Sequence, residues 1–300
     1  MKTEGADCGP LNDELQNFLE IARSVRPSPG EVPQLEGVTI AGVSRPLYDE
    51  TGGDHVIYLD FRKRYDLDSR IARAKAHGKD DVARNLERMK SRAAVLVADV
   101  AGHNITDGLV AGMLHQAFLL GSYYELDING HITTRLFEHI NTRFFESTNI
   151  KKLVTMVYGE IGADGTFRYV SAGHPPPAVF SREFGRFVEL GDARTMASVP
   201  IGLLPSRESP DRKLFARTGQ YKEPYQVNDV QLLGAGDVLL LYTDGLSEHD
   251  DGRFFPAMVE PLLARTAHLD AQGIAGALME TLLAQAPPTD DVTFVVVKKL

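Results

Sequence analysis

The sequence predicts an α+β fold of antiparallel β-sheets flanked by helices. Three observations carry that prediction. Apolar, β-branched runs come in clusters joined by short Gly- and Asp-containing turns, and helical runs fall between the clusters instead of after every strand. Strict strand-helix alternation would point to a parallel sheet. The third observation is size: 300 residues with 43% hydrophobic content fit one large globular domain, or a domain with appendages, and the short links favour a single core.

The elements follow in order. Within "LNDELQNFLEIARSVRPSPGEVP", Leu15, Phe18, Leu19, Ala22 and Val25 recur at helical spacing until the prolines stop them. This predicts one short helix over 11–25, either a linker or dimerisation helix or one packed on the main body. "VTIAGVSRPLYDETGGDHVIYLDF" reads as two strands whose loop ends in Gly52-Gly53-Asp54. Residues 62–92 lose all strand signals and become rich in Lys, Arg, Asp and Ala, which predicts a helical insertion split at Gly78. A solvated helical face is the favoured reading there, ahead of a substrate-binding lid. "AAVLVADV" is a buried strand, and "ITDGLVAGMLHQAFLLGSYYEL" a helix with Leu109, Met113, Ala117 and Leu120 on one stripe. Residues 131–147 form a further helix.

"LVTMVYGEIGADGTFRYVSAGHPPPAVFS" gives a strand, an Ala-Asp-Gly turn, a second strand, a Gly-His-Pro break and a third strand. Residues 215–229 read as loop with weak strand character. "DVLLLYTDGLSEH" is a strand ending on Asp244, 254–286 is helical, and "DDVTFVVVKK" is the final strand.

A net charge of −9 and a pI near 5.5 argue against a nucleic-acid or anionic-membrane surface, both of which need concentrated Lys and Arg. A protein or a small molecule is the expected partner. The single cysteine, Cys8, cannot form an internal disulfide, which favours a reducing compartment. The acidic start "MKTEGADCGPLNDE" lacks the apolar core of a signal peptide, and no run of about 18 apolar residues occurs, so a soluble, cytoplasmic protein is expected.

Four aspartates sit at strand ends. Asp54 and Asp290 immediately precede apolar strands, whereas Asp99 and Asp244 immediately follow them. In antiparallel pairs the start of one strand and the end of its neighbour share a rim, so all four are placed to converge at one end of the sheets. Any one of them alone reads as a turn residue. Two carboxylates about 5 Å apart repel by roughly 3 kcal/mol at an effective dielectric of 20, which a cation must offset. Carboxylates with backbone carbonyls and water suit a hard ion such as Mg²⁺ or Mn²⁺, and no His/Cys zinc spacing is present. Two such ions would polarise a phosphoryl oxygen and acidify a water. Gly53, Gly102 and Gly245 beside these aspartates allow close backbone approach to a ligand.

"GGD" (52–54), "ADVAGHN" (98–104), "SAGHPP" (171–176), "PIGL" (200–203), "GDVLLLYTDGLSE" (236–248) and "TDDVT" (289–293) together resemble the ordered motif set of metal-dependent type-2C protein phosphatases. They most resemble the bacterial branch containing the stage II sporulation protein E and the phosphatases that activate alternative sigma factors. The resemblance covers roughly 36–300, leaving 1–35 as a tail and short linker or dimerisation helix. It implies an α-β-β-α sandwich with two Mn²⁺ or Mg²⁺ ions, hydrolysing phosphoserine or phosphothreonine on a protein, by family analogy an anti-sigma-factor antagonist. By motif match, Asp54 and Asp99 correspond to metal-bridging or directly ligating carboxylates, the Val100 carbonyl to a backbone ligand, and Asp244 and Asp290 to the remaining ligands. Water then attacks phosphorus without a phospho-enzyme, which suits a chain whose one cysteine lies far from every motif.

The sequence departs from the pattern in places. Asn104 replaces the usual second glycine of Gly-His-Gly, and Ala101 occupies the position of the histidine assigned as general acid in eukaryotic members. That role does not transfer to His103. His174 is the other candidate near the site, with a turn role as its alternative. The phosphate-binding arginine of eukaryotic members has no clear match, which places specificity on protein docking. A homodimer gated through the N-terminal helix follows by analogy only. The competing readings are a phosphatase-like module that binds without turnover, and a β-sandwich with calcium-stabilised loops. The intact aspartate set disfavours the first, and the lack of an Asp-x-Asp-x-Asp run the second.

Overall fold

The computed structural model describes residues 9–27, 29–48, 51–102, 105–147, 152–190, 197–215, 219–231 and 234–300. In chain order the described elements are α1 (Gly9–Ser24), a short 3₁₀ turn (Pro29–Glu31), β1 (Val38–Arg45), β2 (His55–Asp60), α2 (Phe61–Arg64), α3 (Leu67–Ala76), α4 (Asp80–Met89) and β3 (Arg92–Val100). Then come α5 (Ile105–Ile128), α6 (Thr134–Glu146), β4 (Val154–Gly162), β5 (Thr166–Ala172), β6 (Ala178–Ser181), β7 (Arg186–Val188) and β8 (Ala197–Ser198). The chain ends with α7 (Arg212–Phe215), β9 (Asn228–Gln231), β10 (Val238–Tyr242), α8 (Asp244–Ser247), α9 (Val259–Thr266), α10 (Ala271–Gln285) and β11 (Val292–Lys299).

The strands form two sheets. One has the order β1-β11-β10-β6-β7, and the other β2-β3-β4-β5-β8 with β9 also paired to β5. Among the described strands every ladder is antiparallel except the two-residue β5·β8 contact. Strand β3 shows why its sequence reads as a continuous apolar run. Val95 and Val97 point between the sheets, into a cluster with Val157, Leu241 and Val295. Ala94, Leu96 and Ala98 point the other way, onto Leu114, Phe118 and Phe137 of α5 and α6. Alternation is invisible when both faces are covered. The other sheet's outer face is covered by Leu262, Leu263, Ile274 and Leu278 of α9 and α10. The order of layers is therefore helices, sheet, sheet, helices, the four-layer α-β-β-α sandwich.

Several elements differ from expectation. The stripe assigned to α5 faces solvent: Leu109 is 53% exposed, Met113 40% and Leu120 61%. The buried face is Val110, Ala111, Leu114, Phe118 and Leu126 instead. This helix is apolar nearly all round, so two stripes compete and periodicity cannot choose between them. The helical stretch 254–286 is divided into α9 and α10, with Asp270 capping the second by accepting from the Gly273 amide. The N-terminal helix packs on the body through Leu19 and Ala22, with Val25 against Gly112 of α5.

The insertion does split at Gly78, and a further single turn, α2, precedes the split. It is not a lid. Strand β2 leads away from Asp54, and α2 starts only after Asp60, six residues or about 20 Å along the strand. Its Leu67, Ile71, Ala74, Leu86 and Met89 pack into the core that α5 shares with the second sheet.

Candidate metal centre

Strand register brings the aspartates to one end of the sandwich. In the second sheet His55 pairs with Ala98, which sets Asp54 beside Asp99. In the first sheet Tyr242 pairs with Phe294, so Asp244 and Asp290 lie just beyond the same end of β10 and β11. Side chains tie the two sheets together there. Thr243 Oγ1 donates to Asp54 Oδ2 at 2.8 Å, and the Thr293 amide donates to Thr243 Oγ1 at 3.1 Å. Asp54 is thus held by the sheet opposite its own.

Sequence reasoning missed the residue that does most to position this loop. Asp291, 4% exposed, accepts the Leu47 amide on Oδ1 at 2.7 Å and the Gly53 amide on Oδ2 at 2.6 Å. Its neighbour Asp290 is exposed and accepts the Asp291 amide at 2.8 Å. Tandem aspartates before a strand must face opposite ways, one toward solvent and one into the fold, and that alternation was the available signal. A second omission is Asp107, fully buried at the start of α5 and paired with Lys152 Nζ at 2.8 Å. Lys152 also donates to the Ala101 carbonyl at 3.0 Å, securing the turn that follows Asp99.

Two glycines let backbone close in on the rim. A Cβ at Gly53 would stand 2.4 Å from the Val100 carbonyl oxygen and 2.3 Å from that of Gly102. A Cβ at Gly245 would stand 1.8 Å from the Asp291 carbonyl oxygen. The Val100 carbonyl therefore lies directly over the loop that carries Asp54.

The carboxylates feel one another. Burial first, then Asp244, Asp290 and Asp291, push Asp99 up to about 7. Burial and the Asp99 charge raise Asp54 well above the usual carboxylate range, and burial and Asp290 raise Asp244. Folded Asp99 keeps its proton to higher pH than the unfolded chain does, so its contribution favours folding below about pH 4 and is lost as pH rises through about 7. In chelator, Asp99→Asn is accordingly expected to melt above the unsubstituted protein at pH 8. The gap closes on acidification through 7 toward 4. Thermal melts at three pH values check this, and a gap independent of pH would contradict it.

His174 is buried on the Asp99 side. Its Nδ1 shares a 2.9 Å hydrogen bond with Thr155 Oγ1, and Thr155 is the cross-strand partner of Asp99. Burial pushes its pKa down to about 3, so the ring is neutral. This geometry holds β4 in place beside Asp99, and a neutral imidazole is a weak general acid near neutral pH. His103 and Asn104 lie outside the described residues, as does Cys8. His55, which directly follows Asp54, has a buried partner: its Nε2 meets His115 Nδ1 of α5 at 2.8 Å, and burial lowers His55 to about 3.

Beside Asp244 a cleft of about 440 Å³ opens, lined by Asp244, Glu248, Asp251, Thr289 and Asp290. Its donors are nearly all oxygen, the set that Mg²⁺ and Mn²⁺ prefer. Among the described residues no three His, Cys, Asp or Glu side chains already stand as a ligand cage. The fit rests on donor chemistry, mutual charge and glycine clearance.

Facing antiparallel sheets between helical layers, with an acidic rim fed by both sheets, make the architecture of the PP2C-type phosphatases. The chain belongs to the SpoIIE family, whose model, described as stage II sporulation protein E, matches residues 90–299. Among solved structures, the PP2C domain of SiaA from Pseudomonas aeruginosa is similar over 98% of both chains, with a TM-score of 0.63 at 16% identity. The RsbU and RsbW domains of Rv1364c from Mycobacterium tuberculosis are similar over 89% of this chain, with a TM-score of 0.59 at 22% identity. The match spans 61% of that longer chain. RsbX in complex with magnesium gives a TM-score of 0.53 at 14% identity, covering 89% of this chain and 97% of RsbX. No curated protein sequence matches. No helix among the described residues is long and apolar enough to cross a membrane.

Proposed function

We propose that this protein is a metal-dependent serine/threonine phosphatase that removes phosphate from a regulatory protein, of the anti-sigma-factor-antagonist kind. The observation that carries the reading is the convergence of Asp54, Asp99, Asp244 and Asp290 from two sheets onto one rim, in a SpoIIE-family chain. These four carboxylates and the Val100 carbonyl would hold two Mn²⁺ or Mg²⁺ ions. When bound, the ions supply Lewis acidity toward the phosphoryl oxygens and lower the pKa of water toward neutrality.

The chain's own contribution is placement. Thr243 and Asp291 fix the Asp54 loop from the opposite sheet, and Lys152 fixes the turn after Asp99. Burial and mutual repulsion raise both Asp54 and Asp99, and cation binding must displace whatever proton they keep, so affinity for Mn²⁺ should tighten as pH rises through the range near 7 set by Asp99. No cysteine or serine nucleophile is needed, since water attacks in line. With no arginine matched to phosphate binding, selection falls to contacts elsewhere on the substrate protein.

The test is phosphate release from a serine-phosphorylated anti-sigma-factor antagonist, compared with a tyrosine-phosphorylated peptide, in Mn²⁺. Release from the phosphoserine protein, blocked by chelator, is expected. Tight binding of that protein with no release in Mn²⁺ or in Mg²⁺ would support a binding module instead.

A further inference from the structure

The outer face of α5 carries an apolar ridge that none of the described residues covers. Leu120, Tyr124 and Ile128 are each about 60% exposed and follow one another at four-residue intervals, the spacing of one helical face. Beside them α5 and α6 approach so closely at Gly121 that a Cβ there would stand 2.0 Å from Leu136 Cδ1. That approach leaves a groove of about 390 Å³ with Leu120, Tyr124 and Ile128 on one wall and Arg135, His139 and Arg143 along the other.

Positive charge borders the ridge on both sides. On the far side lies the insertion, whose residues 62–92 carry eleven Lys and Arg against five Asp and Glu, a net +6 on a chain of net −9. Arg70 is fixed there with its guanidinium 4.4 Å from the Tyr123 ring centre and 5.3 Å from that of Tyr65. Arg70 and Arg73 both pair with Asp127, and Arg73 keeps 59% of its side chain exposed. The other nearby acids are engaged: Glu125 Oε2 accepts from Asn129 and the Thr133 amide, Asp66 caps α3, and Glu146 stands 3.8 Å from Arg143.

We propose that this face docks an acidic amphipathic helix of a protein partner. The partner's apolar stripe enters the α5–α6 groove, and its carboxylates meet the arginines of the insertion and of α6. A second copy of this chain is a poor occupant, because a two-fold contact would set each basic border against its twin. The ridge begins fifteen residues along α5, about 22 Å beyond its start at Ile105, the end of the helix that follows the Asp99 turn, so the docked helix is held apart from the reacting phosphate. The inference goes beyond the phosphatase reading and its readout involves no catalysis, so the two stand or fall separately.

The probe is a fluorescein-labelled 18-residue helical peptide with Leu on one face and Glu on the other, titrated with the full chain and followed by anisotropy. Its counterparts carry Lys in place of Glu, or the same residues scrambled. The acidic helix is expected to bind at least tenfold more tightly than either, and more weakly at 300 mM than at 50 mM salt. L120D/Y124D changes exposed apolar positions and R73E/R143E breaks only exposed ion pairs, which add little to stability, so each should shift the melting temperature by no more than a few degrees and weaken binding at least tenfold. The proposal is overturned if the acidic peptide does not bind, or if the scrambled or Lys peptide binds as well. It is equally overturned if phosphatidylserine vesicles or duplex DNA are captured in preference, or if light scattering shows a dimer that L120D/Y124D dissolves.

Discussion

Asp244→Ala and Asp54→Ala are each expected to lower metal-dependent phosphate release at least about a thousandfold, equivalent to about 4 kcal/mol of transition-state stabilisation. The size follows from what these side chains do together. Each is one of a small set of hard anionic donors, and the loss of one leaves a cation under-coordinated where the reaction most needs charge. Folding should suffer little, because the native rim is a region of like-charge repulsion. Asp54 is pushed toward its neutral form by burial and by Asp99, and its hydrogen-bond donor Thr243 Oγ1 also lies 3.3 Å from the Thr293 carbonyl, a ready alternative acceptor. Rates and melting curves on the same samples separate the two effects. Retention of activity within tenfold in either variant would contradict the assignment.

Gly245→Ala should damage the fold and the site together. The added Cβ would lie 1.8 Å from the Asp291 carbonyl oxygen, 2.9 Å from its carbon and 3.5 Å from Val292 Cα. These are backbone atoms at the start of β11, which cannot rotate away as a side chain does. Relief requires α8 and β11 to separate, and that moves Asp244, Asp290 and the Asp291 carboxylate that grips Gly53. A cost of about 3 kcal/mol in stability is expected, at the upper end for overpacking, together with a loss of metal affinity. Gly276→Ala in α10 is the matched control. Its Cβ meets nothing within 4 Å, so it should stabilise the protein by up to about 1 kcal/mol through helix propensity. Equal effects from the two substitutions, by calorimetry, would rule out the close approach as the cause.

The aspartates were legible in the sequence because strand ends are. An apolar run that stops on Asp, beside Gly, announces a rim residue, and antiparallel pairing brings the starts and ends of neighbouring strands together, as the Asp54–Asp99 register bears out. The residues that hold the rim were not legible. Neither Asp291 nor Asp107 stood out, because the sequence does not say which of two adjacent carboxylates turns inward to meet backbone amides, nor which first-turn acid is buried against a lysine. The outward face of α5 was misjudged for a related reason. Where apolar residues surround a helix, the buried stripe is chosen by its neighbours, here Leu96, Phe137 and the insertion, and not by its own period. The insertion's remoteness from the rim was likewise set by the length of β2 and not by the composition of 62–92.

The same positions connect fold to function. Each sheet contributes acids from its own strand ends, so the rim exists only while the sheets stay in register. Thr243 and Asp291, which cross from one sheet to the other, are the means of that register. Metal occupancy and the native stability of the sandwich should therefore rise together, as for any ligand that binds the folded state alone.

The central claim is that four rim carboxylates gather two divalent cations and that hydrolysis depends on them. It is tested most directly by titrating Mn²⁺ into metal-stripped protein at pH 8 while calorimetry counts bound ions and phosphate release from a phosphoserine protein is followed in parallel. Two ions bound per chain, with release appearing as they bind and absent from Asp99→Ala, is the predicted result. Undiminished release in chelator, or in Asp99→Ala, would contradict it.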